Sequence, residues 1–325
     1  MIRVSPPIIA ALLLVVSAAC RFDEPVPRAD FIIHHAVVHT AGVPETAEAV
    51  AVRAGRFIAV GSNTAALDLK GPNTRVIDAG GRAVLPGFFG RVAGIGDSDS
   101  DDDILRADMA ARQLGVTTVE TGATPALVDR YKRLIDQGRV KTRTSLLLRG
   151  SLDDLGAEFA KGPTKDYAGK HLMVQTVAFT TPVGAEAMAV AAARAGFQIV
   201  VFADDSHARA DALGLFERLY PQAPVARNLR LRVEPTPAKT VNPILEFQVA
   251  LGQHSRSEAV KAVTWDAAYS ALAEQELGSI EPGKFGDLTM LDRDITSIDA
   301  GGIGQTVVQL TVVGGNIVYE KNTQK

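Results

Sequence analysis

Leu85-Pro86-Gly87-Phe88-Phe89-Gly90-Arg91-Val92-Ala93-Gly94 is apolar apart from one arginine and reads as a strand over residues 84–92. It offers no imidazole and no carboxylate, so Val92 and Gly94 at its far end cannot hold a metal ion. On its N-terminal side the pattern is short strands at 30–40 (DFIIHHAVVHT), 47–53, 56–61 and 74–78, separated by Gly-containing turns as hairpins require. On its C-terminal side strand and helix alternate. Residues 115–120 (GVTTVE), 142–149 (TRTSLLLR), 171–179 (HLMVQTVAF), 197–203 (FQIVVFA) and 229–234 (LRLRVE) are apolar, β-branched runs of the kind buried parallel strands need. Helical stretches lie between them at 104–114, 125–137, 184–195 and 206–219, and this alternation implies a parallel sheet.

With the 84–92 segment the parallel sheet has about six strands. A closed eight-stranded barrel usually takes about 250 residues, and only about 190 lie between Gly87 and Leu277. After Glu234 the chain runs almost directly into helices at 241–251 and 255–272. The expected class is therefore α/β, an incomplete TIM-like (β/α) barrel without strands seven and eight.

The 85–94 run resembles the Leu-Pro-Gly-Phe-Ile-Asp-Ala-His-x-His strand that opens the metal site of the amidohydrolase superfamily. Gly278-Ser279-Ile280-Glu281-Pro282-Gly283-Lys284-Phe285-Gly286-Asp287-Leu288 is very similar to that family's return signature. The likeness, to amidohydrolase 3-like metal-dependent hydrolases, covers roughly 29–95 and 255–322. It implies a small β-sandwich built from 29–86 with 278–325, around a degenerate barrel at 87–277. The last sandwich strands would be 288–292 and 307–319, and Gly314-Gly315-Asn316 supports a hairpin there without any family.

The resemblance also implies a site, and the chain departs from it. Hydrolysis in this family needs imidazole and carboxylate ligands at the C-terminal ends of the barrel strands, where a bound metal brings the pKa of water to about 7. Here Val92 and Gly94 stand at the two histidine positions of the first strand. Phe202, in Val201-Phe202-Ala203, replaces the histidine of strand five, and Pro235, in Arg232-Val233-Glu234-Pro235, that of strand six. The strand-four lysine falls near His171 or Lys170, and the last aspartate falls in the missing part. The leading expectation is a pseudoenzyme without metal or other cofactor, with a possible binding role.

Two alternatives stand beside it. One is an active hydrolase of non-peptide C–N bonds, with a divalent metal (zinc or another) in a rebuilt acidic site. Its candidates are Asp204, Asp205, His207 and Glu234, and alternation aims Asp204 the same way as Phe202. Asp205 and Ser206 are equally good N-caps for the following helix. The other alternative is a structural or interaction module. Residues 97–108 echo a calcium loop, but Asp102 stands where glycine belongs and Asp108 where glutamate does. An acidic loop favouring the N-terminus of helix 104–114 is the better reading. His34, His35 and His39 lie on the first strand, His35 and His39 sharing a face, and read as ordinary surface or half-buried residues.

Residues 1–19 read as a signal peptide: Arg3 precedes an apolar run too short to span a bilayer of about 30 Å. Cys20 is the single cysteine, so no disulfide forms within one chain, and Ser17-Ala18-Ala19-Cys20 resembles a bacterial lipobox. Lipid on Cys20 and a tether over 20–28 would hold the domain on the periplasmic face of an envelope membrane. A net charge of −3 and pI of 6.1 give no electrostatic case for nucleic acid. Open strand edges favour a homodimer that covers them.

Overall fold

The computed structural model describes residues 28–91, 100–236 and 242–321. The expected signal and tether over 1–27, including Cys20, and the positions Val92, Gly94, Asp97 and Asp99 lie outside the described residues.

Six parallel strands run side by side in chain order: Phe88–Arg91, Val116–Ala123, Arg143–Leu148, Leu172–Phe179, Gln198–Phe202 and Arg232–Glu234. This curled half-barrel is the sheet the alternating pattern predicts. The strand expected over 84–92 is two strands. Ala83–Pro86 pairs with Val37–His39 and Leu288–Leu291, and the chain then crosses into the parallel sheet at Phe88. Gly87 marks the crossing, because any side chain there would collide with Thr117.

Period-two alternation divides each strand between two environments. Leu146, Leu148, Val174, Ile199 and Val201 face outward into a buried cluster with Leu134 and Leu215 of the covering helices. The alternate positions Glu120, Arg143, Gln175, Gln198 and Arg232 face the concave side, all buried. A polar concave face under an apolar convex one is what makes this half-barrel a candidate for chemistry. Among the elements not expected are helix Leu152–Lys161 and strand Thr164–Tyr167, which pairs antiparallel with Leu172–Phe179. Thr164-Lys165-Asp166-Tyr167 is short, charged and half-exposed, so no alternation announces it.

Helices Pro243–Ala250, Arg256–Ala262 and Trp265–Ser270 follow the sixth strand. Ile244, Phe247, Val260 and Val263 share a buried cluster with Phe88 and Val116, so these helices cover the side that further strands would have closed. The helix expected over 255–272 is two helices, interrupted at Thr264, whose φ of −131° and ψ of −83° leave the helical region.

The remaining strands make two sheets. One has the order Arg56–Gly61, Ala49–Arg53, Phe31–His34, Arg75–Asp78; the other runs Asn316–Glu320, Val308–Val313, Leu288–Leu291, Ala83–Pro86, Val37–His39, Thr46–Ala47. Phe31, Ile33 and Val52 of the first lie in one buried cluster with Val84, Leu288 and Val312 of the second. Gly314 and Gly315, with φ of 52° and 75°, make the tight turn between the last two strands. No helix among the described residues is long and apolar enough to cross a membrane.

Arg143 ties these sheets to the barrel. It is fully buried at the N-terminal end of its strand, and its Nε and Nη2 donate to Asp287 Oδ2 and Oδ1 at 2.8 and 3.0 Å. Asp287 also accepts from the Gly314 N–H at 2.7 Å. The Phe285 ring lies between two guanidiniums, Arg143 at 4.1 Å and Arg56 at 4.0 Å.

Candidate functional site

At the mouth of the half-barrel four charged side chains close a ring. Arg91 ends the first strand, Glu120 projects from the second, and Arg232 and Glu234 occupy successive inward positions on the sixth. Arg232 Nη2 lies 3.0 Å from Glu120 Oε1 and its Nε 2.8 Å from Glu234 Oε1. Arg91 completes the circuit, with Nε 3.1 Å from Glu120 Oε1 and Nη2 2.6 Å from Glu234 Oε2. Two positive and two negative charges therefore cancel. Among the described residues the first and last parallel strands pair with no further strand on their outer sides, the first having there only Phe89 N–H donating to Val263 O at 3.2 Å, and this ring bridges them by side chains.

Helix Trp265–Ser270 points its C-terminal carbonyls into the same space. Ser270 O accepts from Arg232 Nη1 at 3.0 Å and from Gln198 Nε2 at 3.1 Å. Gln198 Oε1 in turn accepts from Thr176 Oγ1 at 2.8 Å and from Arg232 Nη1 at 3.2 Å. Carbonyls at a helix C-terminus carry partial negative charge and favour a guanidinium beside them.

Burial alone would raise the Glu120 carboxyl, but Arg232 and Arg91 outweigh it and hold the group below the usual 4.5. Arg232 is likewise held ionised: burial opposes the charge, and Glu120 and Glu234 overcome it. Because the folded Glu120 pKa is depressed, its contribution to stability is complete above about 4.5 and is lost as pH falls through the lower folded value. Acid titration followed by circular dichroism should show stability falling below about pH 4.5. A stability unchanged down to about pH 3 would contradict the ring.

A cavity of about 640 Å³ opens beside the ring, between the first strand and the three helices. Arg91 and Glu120 form part of its floor; Phe89, Leu245, Val249 and Ala267 give it an apolar wall, with Glu246 and Asp266 also in the lining. Its size suits a small organic molecule.

The sequence-derived candidates are dispersed. Asp204 accepts from Thr236 N–H and Oγ1–H, both at 2.8 Å, and pins the loop after the sixth strand. Asp205 caps helix Ser206–Gln222 by accepting from Ala208 N–H at 2.8 Å. His207 is 88% exposed and faces only Asp211, 3.5 Å away on its own helix. Of that set Glu234 alone reaches the mouth, already bound to two guanidiniums. Phe202 ends its strand opposite Glu234, and Pro235 is exposed beyond it.

Lys170 and His171 stand before the start of their strand, at the opposite end from the ring. Lys170 pairs with Glu276 at 3.2 Å, and His171 Nδ1 lies 2.8 Å from Ala168 O. Neither can do the work of the strand-four lysine. Asp101, Asp102 and Asp103 form the first turn of helix Asp101–Gln113, capped by Ser100, and Asp108 is buried, accepting from Lys141 and Thr142 N–H at 3.0 and 2.8 Å. These partners account for them as helix-start and packing residues.

Metal-dependent hydrolysis asks for free carboxylate and imidazole donors around one point. The described residues at the mouth do not fit that demand. Both carboxylates are ion-paired with guanidiniums, Glu234 Oε2 by charge alone without a hydrogen bond; no described histidine joins the ring, and two arginines would repel a cation placed there. Arg91 and Arg232 were missed from the sequence. The available signal was the arginine inside each apolar strand, since a buried charge needs a partner.

Residues 251–319 match the amidohydrolase family model (Amidohydro_3). Among solved structures, an enamidase described as a new member of the amidohydrolase superfamily aligns with a TM-score of 0.61 at 15% identity, over 90% of this chain and 96% of that one. An uncharacterized metal-dependent hydrolase from Pyrococcus horikoshii aligns at 0.65 and 13% identity, over 83% and 99%. An adenosine deaminase from Xanthomonas campestris with bound zinc gives 0.65 and 13%, over 90% and 93%. At such identities the likeness speaks for the fold alone. No curated protein matches the sequence. The family model thus matches the C-terminal segment, and over most of its length the chain has the fold of these amidohydrolase-superfamily structures.

Proposed function

We propose that this chain is an amidohydrolase-like protein that has given up metal-dependent hydrolysis and binds a small molecule in the cavity beside the barrel mouth. The observation that carries this reading is the closed ring of Arg91, Glu120, Arg232 and Glu234. It neutralises the charge of the mouth's own carboxylates internally, and hydroxide generation at a metal requires such groups to be free for the ion. Phe202 and Pro235 remove two further ligand positions. The rebuilt acidic site loses support because Asp204, Asp205 and His207 are engaged elsewhere.

The test is an assay of the purified chain on linear amides, cyclic amides and N-acyl amino acids, with zinc, manganese and cobalt supplied in turn. No turnover above a heat-denatured control is expected. Metal-dependent turnover that disappears in Glu234→Gln would overturn the reading and restore the hydrolase.

We also read the two flanking sheets as the layers of one sandwich, and the 1–28 segment as a signal followed by a lipidated tether on the bacterial envelope. Cys20→Ala should then release the protein from the membrane fraction; retention there would refute the lipid anchor. A homodimer covering the outer edges of the parallel sheet fits the same picture, and a monomer in sedimentation would exclude it.

A further inference from the structure

We propose that His34, His35 and Asp78 form a surface site for a divalent transition-metal ion, zinc first among them, on the four-stranded sheet and separate from the barrel mouth. One potential ligand atom from each lies within 4.8 Å of the other two. The backbone makes this possible in an unusual way. Neighbouring residues of a strand normally project to opposite faces. Strand Phe31–His34 ends at His34, and His35 takes a left-handed φ of +50°. This brings the two rings together, with centroids 4.4 Å apart.

His34 is paired in register with Asp78, the last residue of the parallel strand Arg75–Asp78, which supplies the third group.

The arrangement is held from behind. His35 N–H donates to Asn63 Oδ1 at 2.7 Å, His35 O accepts from Gly81 N–H at 2.7 Å, and His34 O accepts from Ala79 N–H at 2.9 Å. Asp78 Oδ1 accepts from Gly80 N–H at 2.8 Å, leaving Oδ2 facing His35 Nδ1 at 3.1 Å. Ligating carboxylates are commonly oriented by such a second hydrogen bond. A left-handed conformation at a non-glycine residue is strained, and strain of this sort gathers at functional positions.

Two observations point to a missing partner. His34 Nδ1 is buried with no hydrogen-bond partner among the described residues, and such orphan groups call for a ligand, ion or water. The side chains of His35 and Asp78 are 56% and 58% exposed, so an ion can reach them. Two imidazoles and one carboxylate, with a fourth position for water, suit zinc. Tetrahedral zinc with bonds of about 2.0–2.1 Å holds its ligand atoms about 3.3 Å apart. The His35–Asp78 pair is already near that spacing, and the His34 ligand atom lies within 4.8 Å of both.

The experiment measures zinc bound per chain, by elemental mass spectrometry after gel filtration and by calorimetric titration with zinc chloride, on the full chain. One zinc per chain is expected. Asp78→Asn and His35→Ala should each weaken it at least tenfold, and circular dichroism should show both variants folded. His35→Gly removes the ring while relieving the left-handed backbone; it should lose the metal without losing thermal stability, which a purely structural histidine would not do. Glu234→Gln is the control for the barrel mouth and should leave the zinc in place. No bound zinc, or zinc undiminished in both Asp78→Asn and His35→Ala, overturns the proposal. Zinc that Glu234→Gln alone removes would overturn it too and would also contradict the ring-based reading of the mouth.

Discussion

Arg143→Met is expected to cost about 3–5 kcal/mol of folding stability, the range seen when one member of a buried ion pair is removed. Both partners are deeply buried, with side-chain exposures of 1% for Arg143 and 4% for Asp287. The pair is bidentate, and Arg143 Nη1 also donates to Gly169 O. Methionine keeps most of the volume, so the loss is electrostatic: Asp287 remains buried with only the Gly314 N–H beside it. The effect should spread, because Asp287 joins the barrel to the strand beginning at Leu288 and to the turn at Gly314. Urea denaturation of the variant measures it. A double variant with Asp287→Asn should recover part of the loss, since the stranded charge is then gone. A cost below about 1 kcal/mol would show that the pair is ordinary surface-like electrostatics.

Arg232→Met should be nearly as severe, about 3–5 kcal/mol, and for a different structural reason. Arg232 is 8% exposed and serves Glu120, Glu234, Gln198 Oε1 and Ser270 O at once. Its removal leaves Glu120 with Arg91 as its one remaining cation in the ring, so the Glu120 carboxyl should rise from its depressed position and the acid-induced loss of stability should begin at higher pH. The ring also bridges the two unpaired edges of the parallel sheet. Hydrogen exchange should therefore quicken in strands Phe88–Arg91 and Arg232–Glu234 before it does in the central Arg143–Leu148. Glu120→Gln combined with Arg232→Met should be less destabilised than Arg232→Met alone. Equal destabilisation in the single and double variants would mean that the arginine acts through packing and not through its charge.

Much of the architecture was legible because it depends on local periodicity. The apolar, β-branched runs that became Val116–Ala123, Arg143–Leu148, Leu172–Phe179 and Gln198–Phe202 bury a whole face against helices, and burial of that kind leaves a pattern in any window. Failures came where geometry overrode the pattern. Gly87 splits one apolar run between two sheets because Thr117 leaves no room for a side chain. Asp204 was expected to aim with Phe202, but the strand ends at Phe202 and alternation stops with it. His35 was grouped with His39 by the same rule, and its left-handed φ turns it toward His34 instead.

By itself the sequence determined that six strands and not eight form the parallel sheet of the described residues, that the return segment at 278–288 is present, and that Phe202 and Pro235 offer no metal-ligating side chain. Those are statements about composition and short-range order, and side-chain chemistry decides them residue by residue. What the charges do was settled only by the tertiary structure. Arg91, Glu120, Arg232 and Glu234 are spread over nearly half the described chain, and their worth depends on distances of about 3 Å that no local pattern encodes. A lone arginine in a strand is a cost; four charges brought into one ring by the curl of the sheet are a closure, and only the fold brings them together.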